Sequence, residues 1–156
     1  MLNRIIMVLI ATLALSAPLV AVAAEEADLV ALFEKYNGAR KAADVQTLKS
    51  VLVKVQADGI DECVNSEMCG KHLAENLKDD ALSSYHVTNF VEFDATGRVV
   101  KQRDKTLPIE VVSGPAAQIY YEGQEMRGHS GRGVITFVIE GGEWKVSTDS
   151  WQPMEK

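Results

Sequence analysis

The sequence predicts an α+β domain: N-terminal helices packed on a strongly curved antiparallel sheet, a cone-shaped α+β barrel. Three observations predict it. Apolar residues recur at helical spacing from about residue 25 to residue 82. From Tyr85 onward the period drops to two, and the strand-like runs are joined by short glycine-bearing turns. Helices followed by a meander of strands place the helices on one face of an antiparallel sheet.

The elements follow in order. Leu29, Leu32, Phe33 and Tyr36 form one apolar stripe on a helix from about Glu25 to Lys41. Asp44 has the character of an N-cap, and Val45, Leu48, Val51 and Leu52 mark a second, shorter helix. A short extended piece, Val53 to Gln56, and a turn at Asp58-Gly59 come next. Glu67 to Leu82 reads as a third helix. Tyr85 to Phe93 alternates as a strand, turns at Asp94-Ala95-Thr96-Gly97 and returns over Arg98 to Arg103. Ile109 to Val112 and Ala116 to Glu122 read as further strands, and Gly123 to Gly131 as a glycine-rich loop. Gly133 to Glu140 and Trp144 to Trp151 form a terminal hairpin around Gly141-Gly142, with Trp144 and Val146 expected in the core.

Residues 1–24 read as a secretory signal peptide ahead of one domain, residues 25–156. Arg4 supplies a positive start and Ile5 to Val22 is almost wholly apolar. Ala21-Val22-Ala23 is a small–x–small cleavage pattern, followed by the acidic pair Glu25-Glu26. An uncleaved anchor is the rival reading; the cleavage pattern favours removal, with a mature chain starting near Ala24 or Glu25 and no membrane association. The expected location is periplasmic or secreted. Loss of Arg4 leaves 15 basic against 22 acidic residues, a net charge of −7. Such a balance lacks the electrostatic footprint of a nucleic-acid binder.

Two cysteines, Cys63 and Cys69, lie close together in a chain of even cysteine count. In an oxidising compartment they read first as a disulfide, with free thiols or a partial metal site including His72 as the alternatives. No cofactor signature is present, and Gly128-His129-Ser130-Gly131-Arg132-Gly133 has the wrong spacing for a nucleophile elbow or phosphate loop. The strand carrying Val134, Thr136 and Val138 on one side and Ile135, Phe137 and Ile139 on the other is apolar on both faces. A second cover is therefore expected, supplied by sheet curvature or by another subunit, and a homodimer is the expectation.

Three pieces resemble the nuclear transport factor 2-like superfamily, which includes ketosteroid isomerases, polyketide cyclases and catalytically silent members. They are the helix pair around Asp44, the hairpin Phe93-Asp94-Ala95-Thr96-Gly97-Arg98-Val99, and the ending Gly141-Gly142-Glu143-Trp144-Lys145-Val146 with Asp149-Ser150-Trp151. The resemblance implies a sheet curled around the first helix, a cavity for a small, mostly apolar ligand, and frequent dimer formation. It also puts Tyr36 at the spacing before Asp44 that the isomerases' oxyanion-hole tyrosine occupies. The isomerase base does not transfer: Asp58 and Asp61 flank the matching register, which falls near Ile60. His86, alternating with Thr88 and Phe90, is a candidate for a cavity-facing dehydratase-type histidine, with His129 and His72 as other options. Tyr36, Asp58, Asp61, His86, Phe90, Tyr121, Asp149 and Trp151 make up the candidate pocket, with no metal ligand among them. The implied function is an exported small-molecule-binding or accessory domain. The alternatives are an isomerase, dehydratase or cyclase using Tyr36 and a nearby acid, and a dimeric interaction subunit.

One expectation is testable on the bare chain. Thiol alkylation of unreduced protein leaves both cysteines unmodified, and reduction makes both reactive. The short bridged loop contributes about 2 kcal/mol, read as a lower denaturation midpoint in reductant.

Overall fold

The computed structural model describes residues 24–154, so the signal-peptide reading for residues 1–23 lies outside the described residues. Four helices come first: α1 (Glu26–Ala42), α2 (Val45–Val51), α3 (Lys54–Asn65) and α4 (Glu67–Asp79). Five strands follow: β1 (Leu82–Phe93), β2 (Val99–Gln102), β3 (Ala116–Glu125), β4 (Ser130–Glu140) and β5 (Glu143–Pro153). They form one antiparallel sheet in the order β2-β1-β3-β4-β5. The α+β class and the helix-on-sheet packing match the sequence expectation. The barrel does not: the sheet curls but stays open, with β2 and β5 as its edges. Register irregularities at Leu82/Ser84, Val87/Asn89, Glu92/Phe93 and Thr136/Phe137 are the points where the strands bend.

The stripe on α1 fills the concave side. Leu29 and Phe33 are each 1% exposed, and the Phe33 ring lies 4.8 Å from both Tyr85 on β1 and Tyr121 on β3. Phe90, Ala117, Ile119, Ile135, Phe137 and Val146 complete this main core. Asn37 clasps the start of β1 from the helix: its Nδ2 donates to the Leu82 carbonyl at 3.0 Å and its Oδ1 accepts from the Leu82 N–H at 2.8 Å. At the α1–α2 joint, Ala43 takes the left-handed conformation at φ 51°. Asp44 caps α2 through Thr47 N–H and hydroxyl, and these bonds hold its carboxyl below the usual carboxylate range.

Between Val53 and Gln56 the structure departs from expectation. The extended piece shrinks to Leu52-Val53, where Leu52 bridges Val146 in parallel and the Val53 N–H donates to the Val146 carbonyl at 2.9 Å. Asp58-Gly59 is not a turn but the middle of α3. Gly59 is solvent-facing there, and the Lys54–Asp58 pair one turn apart supports the helix. Cys63 near the end of α3 and Cys69 in α4 are disulfide-bonded, with Cα atoms 5.1 Å apart, so α3 and α4 form a stapled hairpin. Neither helix has a buried residue; Ile60 and Leu77 pack partly against the main core.

The segment read as a third strand, Ile109 to Val112, has no regular structure. It crosses the convex face instead. Ile109 and Val112 pack on a second cluster of Val91, Phe93 and Ala116, joined by Tyr120 and Val138. Asn89, fully buried, holds the start of the crossing through both the N–H and the carbonyl of Asp104, and Tyr120 Oη accepts from the Glu110 N–H. Part of the apolar second face is thus covered by the chain itself. The glycine-rich loop is shorter than expected, because β3 runs to Glu125 and β4 starts at Ser130. Val146 is buried, whereas Trp144 is half-buried and its indole Nε1 has no partner among the described residues. The turns at Gly97 and Gly141-Gly142 take positive φ as their glycines require.

Asn37→Ala removes both bonds of the clasp from the buried Leu82 backbone. We expect a loss of about 2–3 kcal/mol, as for orphaned buried backbone groups, measured as a shift in urea midpoint at unchanged slope.

Candidate functional site

At the C-terminal half of α1 the helical stripe turns polar. Tyr36 and Arg40, one turn apart, reach the inner face of β5, where Asp149 stands. Asp149 Oδ2 accepts from Tyr36 Oη at 3.2 Å and from Arg40 Nη1 at 3.0 Å, and Oδ1 accepts from Tyr121 Oη at 2.7 Å. Arg40 also donates to the Tyr36 oxygen at 3.3 Å, and its guanidinium carbon lies 5.3 Å from the Tyr36 ring centre. Three of the roughly four acceptor positions of this carboxylate are taken. The Arg40 and Asp149 side chains are 14% and 13% exposed. Burial, and then the nearby Asp149 charge, raise both phenols far above the ordinary tyrosine range.

Strand β4 makes room for this cluster by carrying glycine where a side chain would point inward. A Cβ on Gly133 would lie 2.5 Å from Tyr121 Oη, and one on Gly131 would lie 2.6 Å from Trp151 Cζ2. The two rings lie over the bare backbone and stack, with centres 5.9 Å apart and planes 24° from parallel. Around them opens a pocket of about 260 Å³ lined by Tyr36, Arg40, Leu82, Tyr121, Asp149 and Trp151. Asp80, Glu125 and Arg127 complete its wall. Glu125, 4% exposed, accepts from Arg127 Nε at 2.8 Å and Nη2 at 3.1 Å. Arg127 also pairs with Asp80 at 3.3 Å. The wall is therefore mainly charged and phenolic, where an apolar cavity was expected.

Four of the eight sequence candidates meet here: Tyr36, Tyr121, Asp149 and Trp151. The other four do not. Asp58 and Asp61 lie on α3 and pair with Lys54 and Lys49 outside the pocket, because that segment is helical rather than a turn after a strand. His86 faces away from the pocket, 69% exposed, 3.6 Å from Glu122. The irregularity between Val87 and Asn89 reverses the alternation there, so Phe90 joins the closed core while His86 stays outside. His72 and His129 are exposed, and His129 stands 3.4 Å from Glu125 at the pocket rim. Among the described residues no group of three metal-type ligands forms, and no helix is long and apolar enough to cross a membrane.

Sequence reasoning missed Arg40, Asp80, Glu125 and Arg127. Arg40 carried a signal, as it continues the Leu29–Phe33–Tyr36 stripe by one more turn. So did Gly133, which pairs with Tyr121 on β3 and Trp151 on β5, and Gly131 two residues before it on the same face. Comparison with known proteins adds no identification: no family model, curated protein or solved structure matches the chain.

The phenols give a pH prediction. A free tyrosine ionises near pH 10, and these two are raised in the folded state. Their contribution to stability is complete below about pH 10 and is lost as pH climbs above it toward the native values. In an alkaline titration followed by phenolate absorbance, two of the four tyrosines ionise only together with the loss of near-ultraviolet circular dichroism. Four tyrosines titrating while the fold is intact would refute the burial of Tyr36 and Tyr121.

Proposed function

We propose that this protein is an exported, non-catalytic small-molecule-binding domain of the nuclear transport factor 2-like kind, with its ligand in the pocket between α1, β3 and β5. The observation that carries the reading is Arg40. It is largely buried in the pocket wall, and among the described residues only its Nη1 has a partner. Its remaining N–H groups are available to an acceptor. Beside it the Tyr121–Trp151 stack and Leu82 offer a flat apolar surface. This combination suits a small ligand with a carboxylate or carbonyl head and a planar or aliphatic body. A volume of about 260 Å³ is just under the roughly 300 Å³ lower bound of ordinary ligand pockets, which favours a metabolite-sized molecule.

A binding role is favoured over catalysis because Asp149, the acid beside Tyr36, is occupied by three donors, and Tyr36 itself faces that acid. Neither is free to act as base or as oxyanion donor without dismantling the cluster. The export reading rests on the leader pattern of residues 1–24, and the Cys63–Cys69 disulfide fits an oxidising compartment.

The dimeric reading has its own support. A cavity of about 390 Å³ on the convex face has Tyr120, Val134, Leu107 and Ile109 in its lining, and Leu107 is 37% exposed. Sedimentation over a hundredfold concentration range reads this directly; a constant monomer removes it.

Native mass spectrometry of protein purified from its own compartment is expected to show a retained small molecule. Arg40→Met is expected to fold and to weaken that ligand at least tenfold, about 1.4 kcal/mol. Wild-type protein that is uniformly empty, or an Arg40→Met variant that holds the ligand as well as wild type, overturns the proposal.

A further inference from the structure

Glu92 is an acid without its cation. It lies half-buried on β1, beside the fully buried Phe90 and across from Lys101 on β2. Of the other half-buried or buried acids within helices and strands, Glu26 has Arg103, Asp61 has Lys49, Glu125 has Arg127 and Asp149 has Arg40 within 4.0 Å, and Glu122 has the imidazole of His86 at 3.6 Å. Among the described residues Glu92 has none. Lys101 directs its Nζ over the Phe90 ring, 5.4 Å from the centre. The donor that does reach Glu92 is the backbone nitrogen of Ala24, 3.1 Å from Oε1. Ala24 itself is 1% exposed and packs with the main core.

Ala24 is also the residue that follows the small–x–small pattern Ala21-Val22-Ala23. Hydrolysis of the Ala23–Ala24 bond by a signal peptidase adds water across it, leaves a carboxylate on Ala23 and turns the amide nitrogen on Glu92 into an α-ammonium. We propose that the Ala23–Ala24 bond is the processing site, and that the new terminus is the missing cation of Glu92, so that removal of the leader completes an ion pair anchoring α1 to β1. The proposal rests on the export reading and sharpens it, because the mature chain then starts one residue earlier than a 1–24 leader would leave it. Cleavage after Ala24 would discard both a core methyl and the donor to Glu92.

The surroundings suit a charged terminus. A positive charge at a helix N-terminus opposes the helix dipole, and here it is offset by Glu92 and by Glu25 and Asp28 at the start of α1. The nearby cations are accounted for: Arg103 pairs with Glu26, and Lys101 lies over Phe90. A charge-assisted bond replaces a neutral donor at the same position, so the same contact becomes stronger once the leader is gone.

The test uses protein exported and processed in its host. Intact mass is expected to place the first residue at Ala24. The α-amino group, followed by nitrogen-15 NMR, is expected to titrate at least one unit above its usual value of about 8, and Glu92→Gln is expected to return it to that value. A chain carrying one extra glycine before Ala24 is expected to lose as much melting temperature as Glu92→Gln, with the two changes not additive. A mature chain starting at Glu25 overturns the proposal while leaving export intact, and a chain still starting at Met1 overturns both. An Ala24 terminus whose pKa is ordinary and indifferent to Glu92→Gln overturns the ion pair.

Discussion

The carboxylate of Asp149 joins the polar end of α1 to the sheet. It takes hydrogen bonds from Tyr36 and Arg40 on α1 and from Tyr121 on β3, and it stands on β5 itself. One side chain therefore ties the central helix to two strands that are not neighbours in the sheet. The surrounding residues follow from this demand. Gly133 leaves space for the Tyr121 ring, Gly131 leaves space for Trp151, and Ala39 and Leu48 close the core below. Removing one partner from such a cluster leaves others buried without compensation, which costs more than the pairwise bond it breaks. The same group that secures the architecture thus shapes the pocket, whose wall keeps the Arg40 N–H groups that Asp149 and Tyr36 do not take.

The parts of the fold governed by short-range rules were legible. The stripe Leu29, Phe33, Tyr36, the Asp44 cap, and the turns at Gly97 and Gly141-Gly142 are local signals, and each forms where it was read. The failures share one cause, tertiary context overriding a local cue. Asp58-Gly59 has turn chemistry, yet α3 runs through it because the disulfide and the α4 contact hold the hairpin together. Ile109 to Val112 has strand chemistry, but its apolar groups are used to cover the convex face and not to pair with a neighbour.

In the site the same division applies. Tyr36 could be placed from helical period alone. His86 and Phe90 could not, because one irregularity between Val87 and Asn89 inverts which residues face inward, and a register shift leaves no mark in a two-residue period. Arg40 is ambiguous in sequence, because an arginine in the last turn of a helix also complements the helix dipole. Its position one turn beyond Tyr36 was the better guide. Glu125 and Arg127 are neighbours in sequence, but only the tight turn to Ser130 points them at the same opening.

The separation along the chain between Tyr36 and Asp149, 113 residues, has a consequence for the order of assembly. During synthesis α1 emerges long before the strand that neutralises its arginine and satisfies its phenol. Until β5 arrives, Tyr36 and Arg40 lack their shared carboxylate, and α1 is held to the sheet by the Asn37 clasp on β1 and the Phe33 contacts with Tyr85 and Tyr121. Closure is thereby deferred to the final hairpin, and contacts of this span make folding slow relative to helix formation. The polar half of the contact between α1 and the sheet is thus the last part of the fold that can be completed.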